Sequence, residues 1–491
     1  MSETIAATKY GKVEGFLKDG VYQWRGIPYA APPKRFQAPE ECEPWEGVRD
    51  AKNFGPVCIQ SKGKHKKRGE YINTLHFQSE DCLFINVWSK NPSGKAPVVF
   101  FIHGGAFYFY GGSITNANAL ADGDVVVVTM NYRLGAFGGF NFSFLDEKFC
   151  PNIQLHDLAL ALKWVNENIA AFGGDPGNVT LSGQSAGAIA GVGLLNVPSV
   201  YPYFHKAILM SSFPAEMFTD KESSMKSAKY FLDKAGIKSK EELLALSSKE
   251  LHKRMANFCA KEPLFGLMSI KIAVDGEFLP NKPMEGARLG TDAPVPVVFG
   301  TADNEADILQ KFPIAKSIVK RDFVENRRQS ISGVKEIYDS EYRSSRKLRR
   351  TLLTDILIKA PTAAYADEHA KRQDTWQYCF CYNSILSRLS GIGAMHAIDV
   401  PFFFGDLQKD QLLGYFFKLS NTKKVAAPLR DRFHSDILEF VKTGKCSYPK
   451  YSESYSVKRY AGGKRCRSDI IVTGLTTAMQ KWIKHFNAPG E

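Results

Sequence analysis

Val179-Thr180-Leu181-Ser182-Gly183-Gln184-Ser185-Ala186-Gly187-Ala188-Ile189-Ala190 joins a short apolar run to a small-residue helical stretch through a single tight turn. A serine hydroxyl attacks a carbonyl only if it stands clear of its neighbours with its proton near a base, and a sharp strand-to-helix turn achieves both. Such a turn crowds the backbone, so its flanks must be nearly bare, which Gly183 and Gly187 supply. Ser185 is therefore a candidate nucleophile, although a lone G-x-S-x-G recurs by chance and the rest of the chain must support it.

Outward from that turn, Val98 to Ile102, Val125 to Met130, Val179 to Leu181, Ala207 to Met210 and Val297 to Phe299 are continuous apolar runs of the kind found in buried parallel strands. Leu155, Leu158, Leu162, Val165 and Ile169 recur at helical spacing between Leu155 and Phe172, and Gly173-Gly174-Asp175-Pro176 ends that helix. The alternation argues for an α/β fold, a mostly parallel central sheet flanked by helices. In such sheets reactive groups gather at the carboxyl ends of the strands.

That edge collects the other candidates. His103-Gly104-Gly105-Ala106-Phe107 follows the run ending at Ile102, and Gly300 to Glu305 follows Val297 to Phe299. An oxyanion needs preorganised donors, and backbone N–H groups beside small residues come close enough, so the oxyanion hole is assigned to Gly105, Ala106 and Ala186. The base is expected late in the chain. Of ten histidines, His65 lies in a charged loop, His103 in the glycine turn and His156 on the long helix. His396, in Gly393-Ala394-Met395-His396-Ala397-Ile398-Asp399-Val400-Pro401, follows every candidate acid and is the choice. Activity is then expected to fall as pH drops through the ordinary histidine range of about 6–7.

Composition bounds the rest. The 491 residues contain 44% hydrophobic and 12% aromatic side chains, enough for a large core, with no low-complexity linker or repeat. One domain, 1–491, with long excursions is expected. The first ten residues lack a basic and then apolar leader, and no apolar run is long enough for a membrane span. Nine cysteines leave at least one unpaired, which suits a reducing, cytoplasmic setting and lends little weight to the sequons at Asn141 and Asn178. No cysteine pair has zinc spacing, and Cys379 and Cys381 read as core residues of an apolar strand, so no metal and no cofactor are expected. The net charge of +13 concentrates at Lys62 to Arg68, Arg346 to Arg350 and Lys464 to Arg467. No nucleic-acid motif accompanies these clusters, so solvated surface is expected and nucleic acid is not a partner. The oligomeric state stays open.

The pattern resembles the type-B carboxylesterase and cholinesterase family, and within it the bacterial para-nitrobenzyl esterases. The likeness runs from Gly26-Ile27-Pro28-Tyr29-Ala30 through Ser79-Glu80-Asp81-Cys82-Leu83, Asn131-Tyr132-Arg133-Leu134-Gly135 and Asp275-Gly276-Glu277-Phe278-Leu279-Pro280 to Phe440-Val441-Lys442-Thr443-Gly444. It implies the α/β-hydrolase fold and a triad of Ser185, Glu305 and His396, with Glu305 preferred over its physical rival Asp303. It also implies ion pairs Arg35 with Glu80 and Arg133 with Asp157, a cysteine pair Cys58 and Cys82 at the rim of the site, and a supporting role for Ser211.

Gln184 departs from the glutamate usual in the family, and with it goes an anionic charge that would favour cationic alcohols. Ser212 and Phe213 replace a glycine and its neighbour, and Gln154 replaces a glycine before the long helix. The expected substrate is a small-molecule ester, neutral or anionic, cleaved through an acyl-enzyme; Phe107 to Tyr110 and Leu264 to Met268 are candidate pocket walls. The run Lys62 to Arg68 is expected to draw anionic esters in a salt-dependent way. A non-catalytic cholinesterase-like module, a lipase and an aromatic-acid esterase are the alternatives.

Overall fold

A computed structural model describes residues 3–61, 75, 77–212, 215, 217–262, 269–306, 351–383, 393–407, 425–461 and 469–488. The basic run at 62–68, Phe213, the segment 264–268 and the charged clusters at 346–350 and 464–467 lie outside the described residues.

In chain order the strands are β1 Ile5–Thr8, β2 Gly11–Glu14, β3 Phe16–Lys18, β4 Val21–Pro28, β5 Val48–Asp50, β6 Phe84–Ser89, β7 Ala96–Ile102 and β8 Val126–Met130. They continue as β9 Gly174–Gln184, β10 Lys206–Met210, β11 Phe218–Asp220, β12 Ile272–Val274, β13 Val297–Ala302, β14 Thr375–Phe380, β15 Val457–Tyr460 and β16 Ile470–Val472. Eleven of them form one sheet in the order β16-β15-β14-β13-β10-β9-β7-β8-β6-β4-β3. From β8 to β15 across that order every pairing is parallel, and antiparallel strands close both edges.

The parallel strands are nearly continuous apolar runs because both faces are covered. Helices Ile153–Asn168 and Ala186–Leu194 pack on one face, where Leu155, Leu158, Leu162 and Val165 join a core that includes Val98, Phe100 and Leu181. On the other face Leu429, Phe433, Ile437 and Phe440 of helix Ala427–Thr443 meet Phe101, Val127, Ile208 and Phe380. Alternate strand residues thus feed opposite cores. The long helix runs to Asn168, and its expected tail to Phe172 is a 3-10 turn closed by Gly173 at φ 80°. Among the described residues no helix is long and apolar enough to cross a membrane.

Register matters most for the site. Met210 pairs with Gln184 on one side and with Gly300 on the other, so β9 and β10 end level while β13 runs two residues further. Their exits continue the ladder: Ser185 N–H donates to Met210 O at 2.9 Å, Ser211 N–H to Gly300 O at 2.8 Å, and Asp303 N–H to Phe380 O at 3.0 Å.

Candidate active site

Ser185 sits between β9 and helix Ala186–Leu194 at φ 57° and ψ −124°, a region costly for a residue with a side chain. The sequence permits it because its neighbours are small. A Cβ on Gly187 would stand 2.1 Å from Ile102 O, and one on Gly183 would stand 2.5 Å from the Gly187 carbonyl carbon. The strain is held by the helix behind it, where Ile189 N–H donates to Ser185 O at 2.8 Å.

The glycine turn after β7 lies against this elbow. A Cβ on Gly104 would stand 3.2 Å from the Ser185 Cβ and 2.8 Å from the Gln184 carbonyl oxygen. Beyond it, Gly105, Ala106 and Phe107 take φ of 105°, 55° and 65°, and the Gly105 carbonyl accepts from the amides of Tyr108 and Phe109. The N–H groups of Gly105, Ala106 and Ala186 meet no acceptor among the described residues. Ala186 also opens a helix, whose first N–H groups carry partial positive charge. The glycine turn and the helix start thus bring unbonded amides to the neighbourhood of the elbow.

His396 Nδ1–H donates to Glu305 Oε2 at 2.6 Å. Glu305 is fully buried, and its other oxygen accepts from Ser211 Oγ at 2.7 Å and from the Ala302 amide at 2.6 Å. The two loops that carry this pair are stitched together, since Asn304 bridges to Met395 and its N–H donates to Ala394 O at 2.9 Å. Asp303, the rival acid, turns away: its Oδ1 lies 3.1 Å from Arg459 Nη2 and 3.6 Å from Lys359 Nζ. Those cations hold the Asp303 carboxyl below its usual range against the opposing effect of burial.

The Ser185 hydroxyl makes no hydrogen bond among the described residues. His396 Nε2 has Gln184 Nε2 beside it at 3.2 Å. An amide N–H can only donate, so with Nδ1–H given to Glu305 the contact leaves Nε2 as an acceptor, the tautomer a general base requires. This contact, the Ala302 amide on Glu305 and the buried Asp399 beside them are features the sequence reading missed. Asp399 lies three residues past His396 in the stretch already singled out, and that proximity was the available signal.

His103 is not a competing base. It is buried, stacked on Tyr132 at 4.4 Å, and burial lowers its pKa to about 4. Arg35 and Glu80 pair at 2.5 Å, as do Arg133 and Asp157 in full burial. Cys58 and Cys82 are neighbouring buried thiols. Gln154, unexplained from sequence, reaches the Phe107 carbonyl at 3.5 Å, a long contact under the glycine turn. Ser212 is buried against Thr362, its carbonyl accepting from the threonine hydroxyl at 3.3 Å. Of the aromatic candidates, Phe107 and Tyr108 belong to the core, whereas Phe109 is exposed.

Comparison with known proteins accords with this geometry. A family model described as the carboxylesterase family matches residues 2–461. The para-nitrobenzyl esterase of Bacillus subtilis (strain 168) is 34% identical over 92% of this chain and 94% of its own. The phenmedipham hydrolase of Pseudarthrobacter oxydans is 32% identical over 90% and 91%. A solved para-nitrobenzyl esterase superimposes with a TM-score of 0.85 at 32% identity, covering 98% of this chain and 99% of that one. With fold and nearly full length in common, the chain belongs to the carboxylesterase family and is a carboxylic ester hydrolase.

Proposed function

We propose that the chain hydrolyses small to medium neutral or anionic carboxylic esters through an acyl-enzyme, with Ser185 as nucleophile, His396 as base and Glu305 as the triad acid. The observation that carries this reading is the 2.6 Å contact of His396 with a buried Glu305 beside the strained Ser185 elbow. The Gln184 amide leaves Nε2, and the Ser185 hydroxyl takes its place; catalytic hydrogen bonds commonly tighten only with substrate bound. His396 then accepts the Ser185 proton as Oγ attacks the ester carbonyl, and Glu305 stabilises the imidazolium. The oxyanion is held by the Gly105, Ala106 and Ala186 amides, each donor being worth on the order of 3–4 kcal/mol in comparable hydrolases. The imidazolium protonates the leaving alcohol, and the same histidine activates water to release the acid. Every proton and charge in this sequence has a residue to handle it, so the chemistry calls for no cofactor.

Gln184 supports the substrate class, because a neutral amide beside the nucleophile offers nothing to a cationic alcohol. Relatives named para-nitrobenzyl esterase and phenmedipham hydrolase support small-molecule substrates. A reducing, cytoplasmic setting belongs to the same proposal and rests on the odd cysteine count.

Rapid mixing with a para-nitrophenyl ester tests the reading. A burst of chromophore stoichiometric with enzyme is expected, and Ser185→Ala should abolish burst and turnover while circular dichroism stays unchanged. A folded Ser185→Ala protein that keeps more than about a tenth of the activity would remove Ser185 from the mechanism.

A further inference from the structure

Away from the ester site, at the end of β14, two thiols share one face. Alternate residues of an extended segment point the same way, and Cys381 Sγ lies 3.7 Å from Cys379 Sγ and 3.5 Å from the Cys379 carbonyl oxygen, its one proton able to go to either. Asp303 Oδ1 lies 4.0 Å from Cys379 Sγ and carries two cations, Arg459 Nη2 at 3.1 Å and Lys359 Nζ at 3.6 Å. Lys359 ends a π-helical turn, Asp355–Lys359, and also donates to the Asp303 carbonyl at 3.2 Å. Cys379 is buried, but Cys381 is partly open, and Asp303 and Arg459 are about a third exposed, so small solutes have a way in.

Asp303 and Asp355 oppose Lys359 and Arg459 here, so the local charge is close to balanced, with Lys359 and Arg459 as the members that favour an anionic sulfur. Ordinary burial pushes thiols up, as at Cys42, Cys150 and Cys446, each raised to about 12. Cys379 moves the opposite way, first through the hydrogen bond from Cys381 and then, against burial and the Asp303 charge, through Lys359 and Arg459. Asp303, Cys379 and Cys381 also fall within the spacing of three metal ligands. A dication there would have to share Asp303 with two cations already less than 4 Å from it, so the charge pattern favours an anionic sulfur over a bound metal.

We propose that Cys379 and Cys381 form a peroxide-reactive dithiol, with Cys379 attacking and Cys381 resolving. The Cys379 thiolate attacks one oxygen of hydrogen peroxide, the O–O bond breaks, and the departing hydroxide takes a proton from solvent to leave as water. Cys379 is now a sulfenic acid. Cys381 loses its proton to solvent and attacks Cys379 Sγ; the S–S bond forms, the S–O bond breaks, and a second hydroxide is protonated to water. Two thiols and one peroxide yield one disulfide and two waters, with two electrons passing from sulfur to peroxide. Lys359 and Arg459 stabilise the attacking thiolate. The sulfurs close from 3.7 Å to about 2 Å, a movement that falls on Cys381, just beyond the last residue of β14.

Hydrogen peroxide titration of the reduced, full-length protein, followed by iodoacetamide quenching and peptide mass mapping, tests this. The peptide holding Cys379 and Cys381 should lose two hydrogens and both alkylation sites together, about tenfold or more faster than Cys42, Cys150 and Cys446 react, and dithiothreitol should restore it. Cys381→Ser should stop at a sulfenic acid on Cys379 that dimedone captures, and Lys359→Met should slow the reaction about tenfold. Ester hydrolysis reports whether each variant has folded, and the wild-type rate comparison stands without any variant. The proposal is overturned if the pair reacts no faster than the other buried cysteines, if oxidation proceeds to sulfinic acid without a disulfide, or if the reduced protein retains stoichiometric zinc that shields both thiols.

Discussion

Replacing Asp399 by asparagine should make the protein more stable at alkaline pH than at acid pH relative to wild type, and the structure sets the size. Asp399 is fully buried; Tyr378 OH donates to its Oδ2 at 2.8 Å, and Oδ1 has no partner among the described residues. Burial raises the carboxyl to about 6, the Tyr378 hydrogen bond pulls it down, and the Glu305 charge pushes it up again. A folded value above the unfolded one near 4 means that the protonated form stabilises the native state at low pH. That contribution is lost as pH rises through about 6. A shift of about two units corresponds to about 3 kcal/mol. Asparagine cannot ionise, so the variant escapes this loss, and any cost of an unpaired amide N–H at the Oδ1 position is the same at every pH. Urea denaturation at intervals from pH 4.5 to 8 should therefore show the stability difference drifting toward Asp399→Asn by about 2 kcal/mol, the first part of the loss falling below pH 4.5, and levelling off above pH 7. A difference flat with pH, or one drifting toward wild type, would refute the assignment of a buried, titrating Asp399.

Glu305→Gln should lower kcat by about 10³–10⁴-fold, because an amide no longer stabilises the imidazolium, whereas Asp303→Asn should cost less than about tenfold; steady-state kinetics on one ester decides. Gln184→Glu sets a carboxylate 3.2 Å from His396 Nε2, which should move the acid limb of the kcat/KM profile to higher pH and raise the preference for a cationic over a neutral ester. Gly187→Ala drives a Cβ to 2.1 Å from Ile102 O, so soluble yield and urea midpoint should report a loss of several kcal/mol, whereas Gly236→Ala, a helix end with open space around it, should lose only about 1 kcal/mol.

The parallel centre of the sheet is legible from sequence because burial on both faces leaves strands such as Ala96–Ile102 without polar residues. β14 is legible only around Cys379, since Thr375 and Gln377 interrupt the run before it, and β15 is not legible at all, since Val457–Tyr460 carries Lys458 and Arg459. Those polar groups find partners only in the folded chain, as when Lys458 reaches Asp436. In the site, the glycine spacings announce the elbow and the turn, because close backbone approach leaves a compositional trace. The choice between Asp303 and Glu305 rests in sequence on resemblance alone. In space it rests on Lys359 and Arg459, more than fifty and one hundred and fifty residues away from Asp303, which no local pattern connects to it. Likewise Gln184 reads as an absent charge in sequence, and only the fold brings its amide to His396.

The register of β9, β10 and β13 has a further consequence. Ser185 hangs from Met210, Ser211 from Gly300 and Asp303 from Phe380, each by the amide that continues its ladder, so the groups around the ester site form a staircase built from the sheet's own hydrogen bonds. The Asn304–Met395 bridge then brings His396 up to this frame. The amides of Ser185, Ser211 and Asp303 belong to the same cooperative unit as the strands they extend, and should exchange with solvent only through openings that unmake the sheet there.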